Sequence, residues 1–454
     1  MLTRFLEYFK VRELRVRIFI TIALLAAYRF GIYITTPGTN RHVMEKVLKE
    51  QSQGTFFGMF NLFSGGAFKN LSIFALGIMP YISASIILSL LVVVIKPLER
   101  MQKEEGEQGR QKITQYTRYG AVLLSIVQSI GISYYLESLQ YYGDTIQYVV
   151  SPDINKWVFR FTTMVTLTGG AVLLMWLGEK ITEFGVGNGI SLIIFAGIIV
   201  NLPDAIIKTI VKVRQGKEGG LEPFDVITLL VIMAVVISFI VFFETAYRKL
   251  KVQYSKQRVG DAGGVIQESS VLPLKVNVSG VIPPIFASSL LMFPATLAGF
   301  SQNEIVGSIV AFFQFGTWGY DITYIVLIVF FTYFYTAIQF NSKDMAENLQ
   351  KSGGAIPGAR PGEETINYLD RVVNRLTFAA AIYLVAVSLL PAILIKNYEV
   401  PFYFGGTSLL IVVGVALDTI NQMDSYVISG QYDSLSNTNT GGSTSKIRSR
   451  RYEG

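Results

Sequence analysis

Two pairs of isoleucines, Ile78 with Ile82 and Ile190 with Ile194, stand four residues apart inside apolar stretches of the chain. On a helix that spacing puts both members of a pair on one face. β-Branched side chains brought together from facing helices can form a narrow apolar collar, which excludes water and ions by dewetting. Contact with lipid or with a packed core is the commoner use of such a pair. Ser83, Ser85, Ser288 and Ser289 also lie in apolar stretches. Small hydroxyl residues suit a helix interface that must separate, and equally one that stays closed. Reactive groups are otherwise scarce. There is no cysteine, and the one histidine is His42. Disulfides and thiolate sites are thereby excluded, an imidazole metal centre has no second ligand, and His42 reads as a solvated loop residue. The chain carries no phosphate-binding Gly-x-x-x-x-Gly-Lys-[Ser/Thr] loop, catalytic triad or metal-ligand cluster. No cofactor is expected, the chemistry is not that of an enzyme, and the energy for any work must come from a partner.

A second feature precedes the first isoleucine pair. The segment Phe60-Asn-Leu-Phe-Ser-Gly-Gly-Ala-Phe-Lys-Asn-Leu-Ser-Ile73 is too short to cross a membrane and too apolar, through Phe60, Phe63, Phe68 and Leu71, for a plain exposed loop. Gly65 and Gly66 weaken any helix there. Irregular backbone at membrane depth needs a protein pocket or a watery cavity, so the segment reads as re-entrant. The other reading is an amphipathic helix lying on the outer surface.

The elements that must position these residues follow from composition. With 51% hydrophobic and only 16% charged residues over 454 positions, and a mean hydropathy of +0.44, the chain lies outside the range of a soluble globule. Apolar runs long enough to cross about 30 Å of hydrocarbon recur along it. Ten spans are expected, near residues 17–35, 75–95, 118–139, 158–178, 189–202, 224–246, 276–300, 317–340, 376–396 and 401–427. The first has no small-x-small cleavage site after it and is expected to be retained. The fifth is the shortest, because Pro203 interrupts its continuation.

Connections of the N-terminus-inside arrangement gather well over half of the 39 Lys and Arg residues on the cytoplasmic side, as cationic loops resist transfer. Both termini are therefore expected in the cytoplasm. The net charge of +7 then needs no nucleic-acid site, although contact with ribosomal RNA stays open. Two long polar connections, 248–275 and 341–375, exceed what a turn requires. The first carries Arg248, Lys249, Lys251, Lys256 and Arg258, with alternation over Lys251 to Ser255 that allows a short hairpin strand. The second is rich in Gly and Pro and reads as a turn-rich arm. Solvated loops explain both, and so does docking of a cytosolic partner. Ten spans also divide into two sets of five, compatible with an inverted repeat. The Ser/Thr/Asn/Gly-rich stretch from Ser434 to Ser445 is expected to be disordered.

Function classes can be weighed on these residues. A secondary transporter would need buried ionisable groups for coupling, and the span interiors offer little beyond Arg29 and Asp418. An ion channel would want a filter such as Thr-Val-Gly-Tyr-Gly, which is absent. A purely structural scaffold leaves the short segment before Ile78 unexplained.

At this point a family resemblance enters. FNLFSGGAFKNLSIFALGIMPYISASII, KITQYTRYG, MWLGEKITEFGVGNGISLIIFAGI, LPLKVNVSGVIPPIFASS, KSGGAIPGARPGEET and PFYFGGTSLLIVVG resemble, in order, the signature segments of the SecY family, over residues 11 to about 427. The resemblance implies an all-α integral membrane protein of ten transmembrane helices in two pseudo-symmetric five-helix halves, residues 1–200 and 201–427, with a flexible cytosolic tail at 428–454. It implies a protein-conducting channel that passes unfolded secretory polypeptides and releases transmembrane segments sideways into lipid. A pore ring is implied at Ile78, Ile82, Ile190, Ile194, Ile285 and Ile411. A plug is implied at about 61–73, including Asn61, Phe63, Ser64, Gly65, Gly66, Phe68 and Leu71. The implied lateral gate, between the second and seventh spans, involves Ser83, Ser85, Ser288, Ser289 and Phe293. Loops that bind a motor or ribosome are implied around Arg248, Lys249, Lys251, Lys256, Arg258 and Arg360. The implied partners are SecE and SecG, the SecA ATPase, the ribosome, unfolded preproteins and membrane lipid, in a bacterial cytoplasmic membrane.

Overall fold

The structure is a computed structural model that describes residues 8, 11–51, 61, 64–103, 105–142, 146–214, 223–259, 265–298, 312–313, 317–398 and 406–439. Ten of its helices overlap the ten expected spans. They are α1 (Arg12–Gly31), α3 (Met79–Val94), α5 (Gly106–Ser138), α6 (Lys156–Phe184), α7 (Gly189–Arg214), α8 (Pro223–Thr245), α9 (Ile282–Ala298), α10 (Trp318–Gln339), α12 (Glu363–Tyr398) and α13 (Gly406–Asn439). Among the described residues, three shorter helices lie between them: α2 (Arg41–Gln51), α4 (Lys96–Lys103) and α11 (Ser342–Lys351). Among the described residues, four helices are long and apolar enough to cross a bilayer unaided, and α3 with α4 makes a fifth broken by a 105° bend. Shorter apolar stretches, Gly189–Pro203, Leu230–Thr245 and Ile282–Leu291, lie within α7, α8 and α9. Helices satisfy their own backbone, which is why a chain this apolar takes that form in hydrocarbon.

Several boundaries differ from expectation for identifiable reasons. Pro203 does not end the fifth span, because α7 continues through it to Arg214. A proline removes a single ladder hydrogen bond, and in an apolar setting no water competes for the backbone on either side. α12 begins at Glu363, about a dozen residues before the expected 376. Ile366, Leu369, Val372 and Val373 recur there at helical spacing and face a core. α13 runs on to Asn439, so the expected tail boundary at 428 falls within a helix. Adding Ser, Leu and Asn to a nucleated helix costs only tenths of a kcal/mol per residue, about 0.5 or so each.

The helices fall into neighbourhoods. α5 packs on α3 and α6, while α1 packs on α6 and α7. α10 lies between α9 and α12, and α13 lies against α8 and α12. Two seams join these groups: α9 meets α3 and α5 on one side, and α13 meets α7 and α1 on the other. One contiguous apolar core runs through both groups, from Tyr28, Phe74 and Ile82 to Ile194, Ile285, Phe331, Tyr383 and Ile411.

The two long polar connections form one unit. β3 (Tyr247–Val259) pairs antiparallel with β4 (Val265–Lys275), in register from Tyr247 opposite Lys275 to Val259 opposite Val265, with a shift between Gln253 and Gln257. The short hairpin strand expected at Lys251–Ser255 is thus much longer. A short strand β5 (Gly354–Ala355) adds to β3 opposite Gln253 and Tyr254. The expected turn-rich arm also holds α11, capped by Asn341, whose side chain accepts from Lys343 and Asp344 N–H. Leu250, Val252 and Leu274 from the hairpin bury against Ala346, Leu349, Ile356 and Leu369 in a second apolar core. On the opposite side of the bundle, β1 (Gln140–Tyr142) and β2 (Ile146–Tyr148) make a small hairpin.

Candidate pore, plug and gate

The segment that the sequence left as either re-entrant or surface-lying is built of turns over residues 64–78. Ser64, Gly65, Ala67, Phe68, Leu71 and Ser72 are buried, whereas Gly66, Lys69, Asn70 and Ile73 are half-buried. Over these described residues it is not a helix resting on the surface. Irregular backbone survives there because its polar groups are paired. Asn61 accepts at its carbonyl from Gly66 N–H at 2.9 Å and at its side-chain oxygen from Lys69 N–H at 2.9 Å. Ser64 Oγ donates to the Asn61 carbonyl at 3.2 Å. α1 supplies the rest. Tyr28 Oη donates to the Ser64 carbonyl at 3.3 Å, and the Arg29 guanidinium donates to the Gly65 carbonyl at 3.0 Å. Ser72 Oγ donates to the Gly31 carbonyl at 2.9 Å. Backbone bonds Thr36 N–H to Leu71 O and Ile73 N–H to Ile34 O complete the attachment. Phe63 lies outside the described residues.

Gly65 has φ of +63° and sits against α7. A Cβ there would come within 2.6 Å of the Gly197 Cα and 2.8 Å of Tyr28 Oη. Leu71 adopts φ of +48°, a left-handed conformation that costs a branched L-residue about 1–2 kcal/mol. Its side chain is fully buried, so packing holds the strained turn in place.

Five of the six isoleucines assigned to the pore ring, Ile78, Ile82, Ile194, Ile285 and Ile411, are buried in the same apolar core as Phe68 and Leu71. They come from α7, α9, α13, α3 and the turn before α3. Ile190 is half-buried at the edge of that core, and its Cγ1 would lie 3.1 Å from a Cβ placed on Gly178 of α6. Gly189 and Gly178 make this approach possible, since a Cβ on Gly189 would meet the Gly178 carbonyl.

The residues implied for the gate lie on α3 and α9, two helices that pack together. Ser83 and Ser85 are half-buried on α3, and Ser288 and Ser289 are buried on α9. Ser288 Oγ donates to the Ile285 carbonyl at 2.9 Å, while Ser289 Oγ is buried without a hydrogen-bond partner among the described residues. The Phe293 side chain lies outside the described residues.

The approach to α9 carries polar chemistry that sequence reasoning missed. Glu244, at the end of α8, is buried and accepts from Asn277 Nδ2 at 2.6 Å. Asn277 also donates to the Gly280 carbonyl at 3.0 Å and accepts from Ser279 Oγ at 3.0 Å. Lys275 Nζ lies 3.8 Å from both Glu244 and Asp418, so it bridges α8 and α13. The hairpin's exit, the start of α9 and α13 are thereby tied to one buried carboxylate. Arg29 was visible as an ionisable residue within a span, and its carbonyl partner was not.

Arg248, Lys249 and Lys251 are exposed on β3. Lys256 and Arg258 lie on the same strand, with side chains outside the description. Arg360 is exposed at the turn before α12; its N–H donates to Glu364 at 3.0 Å and its carbonyl accepts from Thr365 Oγ1 at 2.9 Å. β5 brings this turn to the edge of the hairpin. Among the described residues no three His, Cys, Asp or Glu side chains gather as a metal site.

Comparison with known proteins agrees with this architecture. Residues 72–420 match the SecY family profile. The chain is 44% identical over 432 residues to the protein translocase subunit SecY of Aquifex aeolicus (strain VF5), covering 94% of this chain and 97% of that one. A solved structure concerning the SecY plug domain and its role in the closed channel superposes with a TM-score of 0.64 at 17% identity, covering 92% and 93% of the two chains. Sec61 from a canine ribosome–channel complex superposes with a TM-score of 0.62 at 16% identity and the same coverage. By the extent of its sequence match and by its helical architecture, this chain belongs to the SecY family of multi-pass protein translocase subunits.

Proposed function

We propose that the segment of about residues 61–73, turn-built from Ser64 onward, is the plug of this channel and that Ile78, Ile82, Ile194, Ile285 and Ile411 form its seal, with Ile190 at the seal's α6 edge. As a member of its family the chain is a protein-conducting channel subunit and not an enzyme. Unfolded polypeptide passes through it, and hydrophobic segments leave sideways into lipid. The observation that carries the plug assignment is the burial of paired, non-helical backbone beside the isoleucine core, held by Tyr28 and Arg29. Isoleucine suits the seal because it excludes water without binding any one substrate sequence. Separation of α3 from α9 would open the lateral path, with Ser83, Ser85, Ser288, Ser289 and Phe293 along it.

The two halves expected at 1–200 and 201–427 move against each other, with the whole of α7, to Arg214, belonging to the first. SecE and SecG complete the complex, both termini face the cytoplasm of a bacterial inner membrane, and the hairpin with the Arg360 turn receives SecA or the ribosome. Loop-borne cations on a rigid sheet support that docking role. The test is deletion of 61–73 in purified channels reconstituted in planar bilayers. Ion conductance should rise, and conductance equal to that of the intact chain would refute the plug assignment.

A further inference from the structure

α1 is not the re-entrant segment's sole attachment. Lys69, the one charged residue within 61–73, places its Nζ 3.1 Å from Glu45 Oε1 on α2. The lysine's backbone is held by the bond from its N–H to Asn61 Oδ1. α2 is held as firmly. Asn40 caps it, accepting at its side-chain oxygen from His42 and Val43 N–H, and Val43, Met44 and Val47 are buried in the main apolar core. Asn40 N–H donates to the Val149 carbonyl at 2.8 Å, beside a bridge between Thr39 and Val150. Lys46 Nζ donates to Gln147 Oε1 on β2 at 3.3 Å. The helix that carries Glu45 is therefore braced on the small hairpin that joins α5 to α6.

The two attachments differ in kind. Tyr28, Arg29 and the Ser72 hydroxyl bond to backbone carbonyls, whereas Lys69 and Glu45 meet side chain to side chain and are both half-buried. An ion pair between freely moving surface side chains contributes little, because ordering both offsets their attraction. Here each member stands on fixed backbone, which lowers that ordering cost.

We propose, on the reading of 61–73 as the plug, that Glu45 is a positioning residue for it: α2 is a clasp, and its ion pair with Lys69 must break before the segment leaves its seat. Retention then depends on ionic strength at the face of the membrane that carries α2 and the β1–β2 hairpin. The screening length falls from about 10 Å at 0.1 M salt to about 3 Å at 1 M, which is the scale of this contact. The neutral hydroxyl bonds of Tyr28 and Ser72 carry no such dependence.

The experiment records leak openings in planar bilayers, using the full chain purified with whatever subunits accompany it. K69E and E45K should each raise the opening frequency about two- to fivefold. E45K/K69E, which restores the pair in reverse, should return it to the parent's level, a rescue that a merely structural role for either side chain would not give. K69M supplies the salt test. Raising salt from about 0.1 M to about 1 M should bring the parent's opening frequency up to that of K69M and leave K69M unchanged. Deletion of 61–73 separates the clasp from the plug: no rise in conductance on deletion overturns the plug assignment and the clasp with it. A rise on deletion, with K69E and E45K matching the parent, with E45K/K69E leaking as much as either single variant, or with parent and K69M responding equally to salt, overturns the clasp alone.

Discussion

Gly65 rests on Gly197, the plug segment's left-handed turn against a glycine of α7, with a separation that a single added methyl would close to 2.6 Å. The contact joins a re-entrant turn to the helix that carries Ile194, one turn away from Gly197. Any side chain at position 65 must therefore move the segment, the helix, or both.

Gly65→Ala is expected to destabilise the seated segment by at least about 1–2 kcal/mol from φ alone, with the steric clash in addition. Since about 1.4 kcal/mol is a tenfold change in an equilibrium, the unseated fraction should rise roughly tenfold or more. Gly66→Ala is the control. Gly66 also has positive φ, yet no atom lies within 4 Å of its added Cβ. Single-channel recordings should show more frequent leak openings for the first variant than for the second.

Arg29→Met should act in the same direction through a different atom. It removes the charged donor to the Gly65 carbonyl, and a hydrogen bond to a charged group contributes about 1.5–3 kcal/mol. Arg29→Lys, which keeps the charge and loses the planar fork, should fall between the parent and the methionine variant. Proteolytic accessibility of residues 64–73 in detergent orders the three.

The Glu244–Asn277 pair predicts a stability effect rather than a leak. Asn277→Ala strips a buried carboxylate of its 2.6 Å donor, at a cost of about 1–3 kcal/mol. Glu244→Ala removes the buried carboxylate itself, taking an acceptor from Asn277 and leaving Lys275 with only Asp418, at a cost of about 1–3 kcal/mol. Thermal unfolding in detergent should place both variants below the parent. Equal melting temperatures would remove this network as the anchor of α9.

Arg360 offers a test confined to the polar side. Its backbone is fixed by Glu364 and Thr365 while its side chain is exposed. Arg360→Glu should reduce motor-driven translocation in reconstituted vesicles and leave membrane insertion of the chain intact. Unimpaired ATP-dependent transport by that variant would contradict the docking role.

The bundle was legible in the sequence because hydrocarbon imposes a length and an apolarity that composition displays directly. The re-entrant segment was legible for a related reason: Gly65 and Gly66 interrupt a stretch too apolar to lie in water. What escaped was set by tertiary partners. Pro203 reads as a break until one knows that α7 carries on around it. The alternation of Leu250 and Val252 on β3, and of Leu272 and Leu274 on β4, marks a buried sheet face, but its cover comes from α11 and α12, about a hundred residues later. Ile190 and Ile194 share a helix face by spacing, yet Gly178 leaves room on α6 that draws Ile190 aside. Asn277 and Glu244, 33 residues apart, have no local signature that would pair them.

The seal itself is tested by the path of a translocating chain. With a secretory polypeptide arrested in the channel and a photoreactive side chain placed in turn at 78, 82, 190, 194, 285 and 411, crosslinks should be strong at 78, 82, 194, 285 and 411 and weaker at 190. Crosslinks spread evenly over exposed helix positions such as 173 or 235, with none concentrated at the buried isoleucines, would contradict a pore through this core.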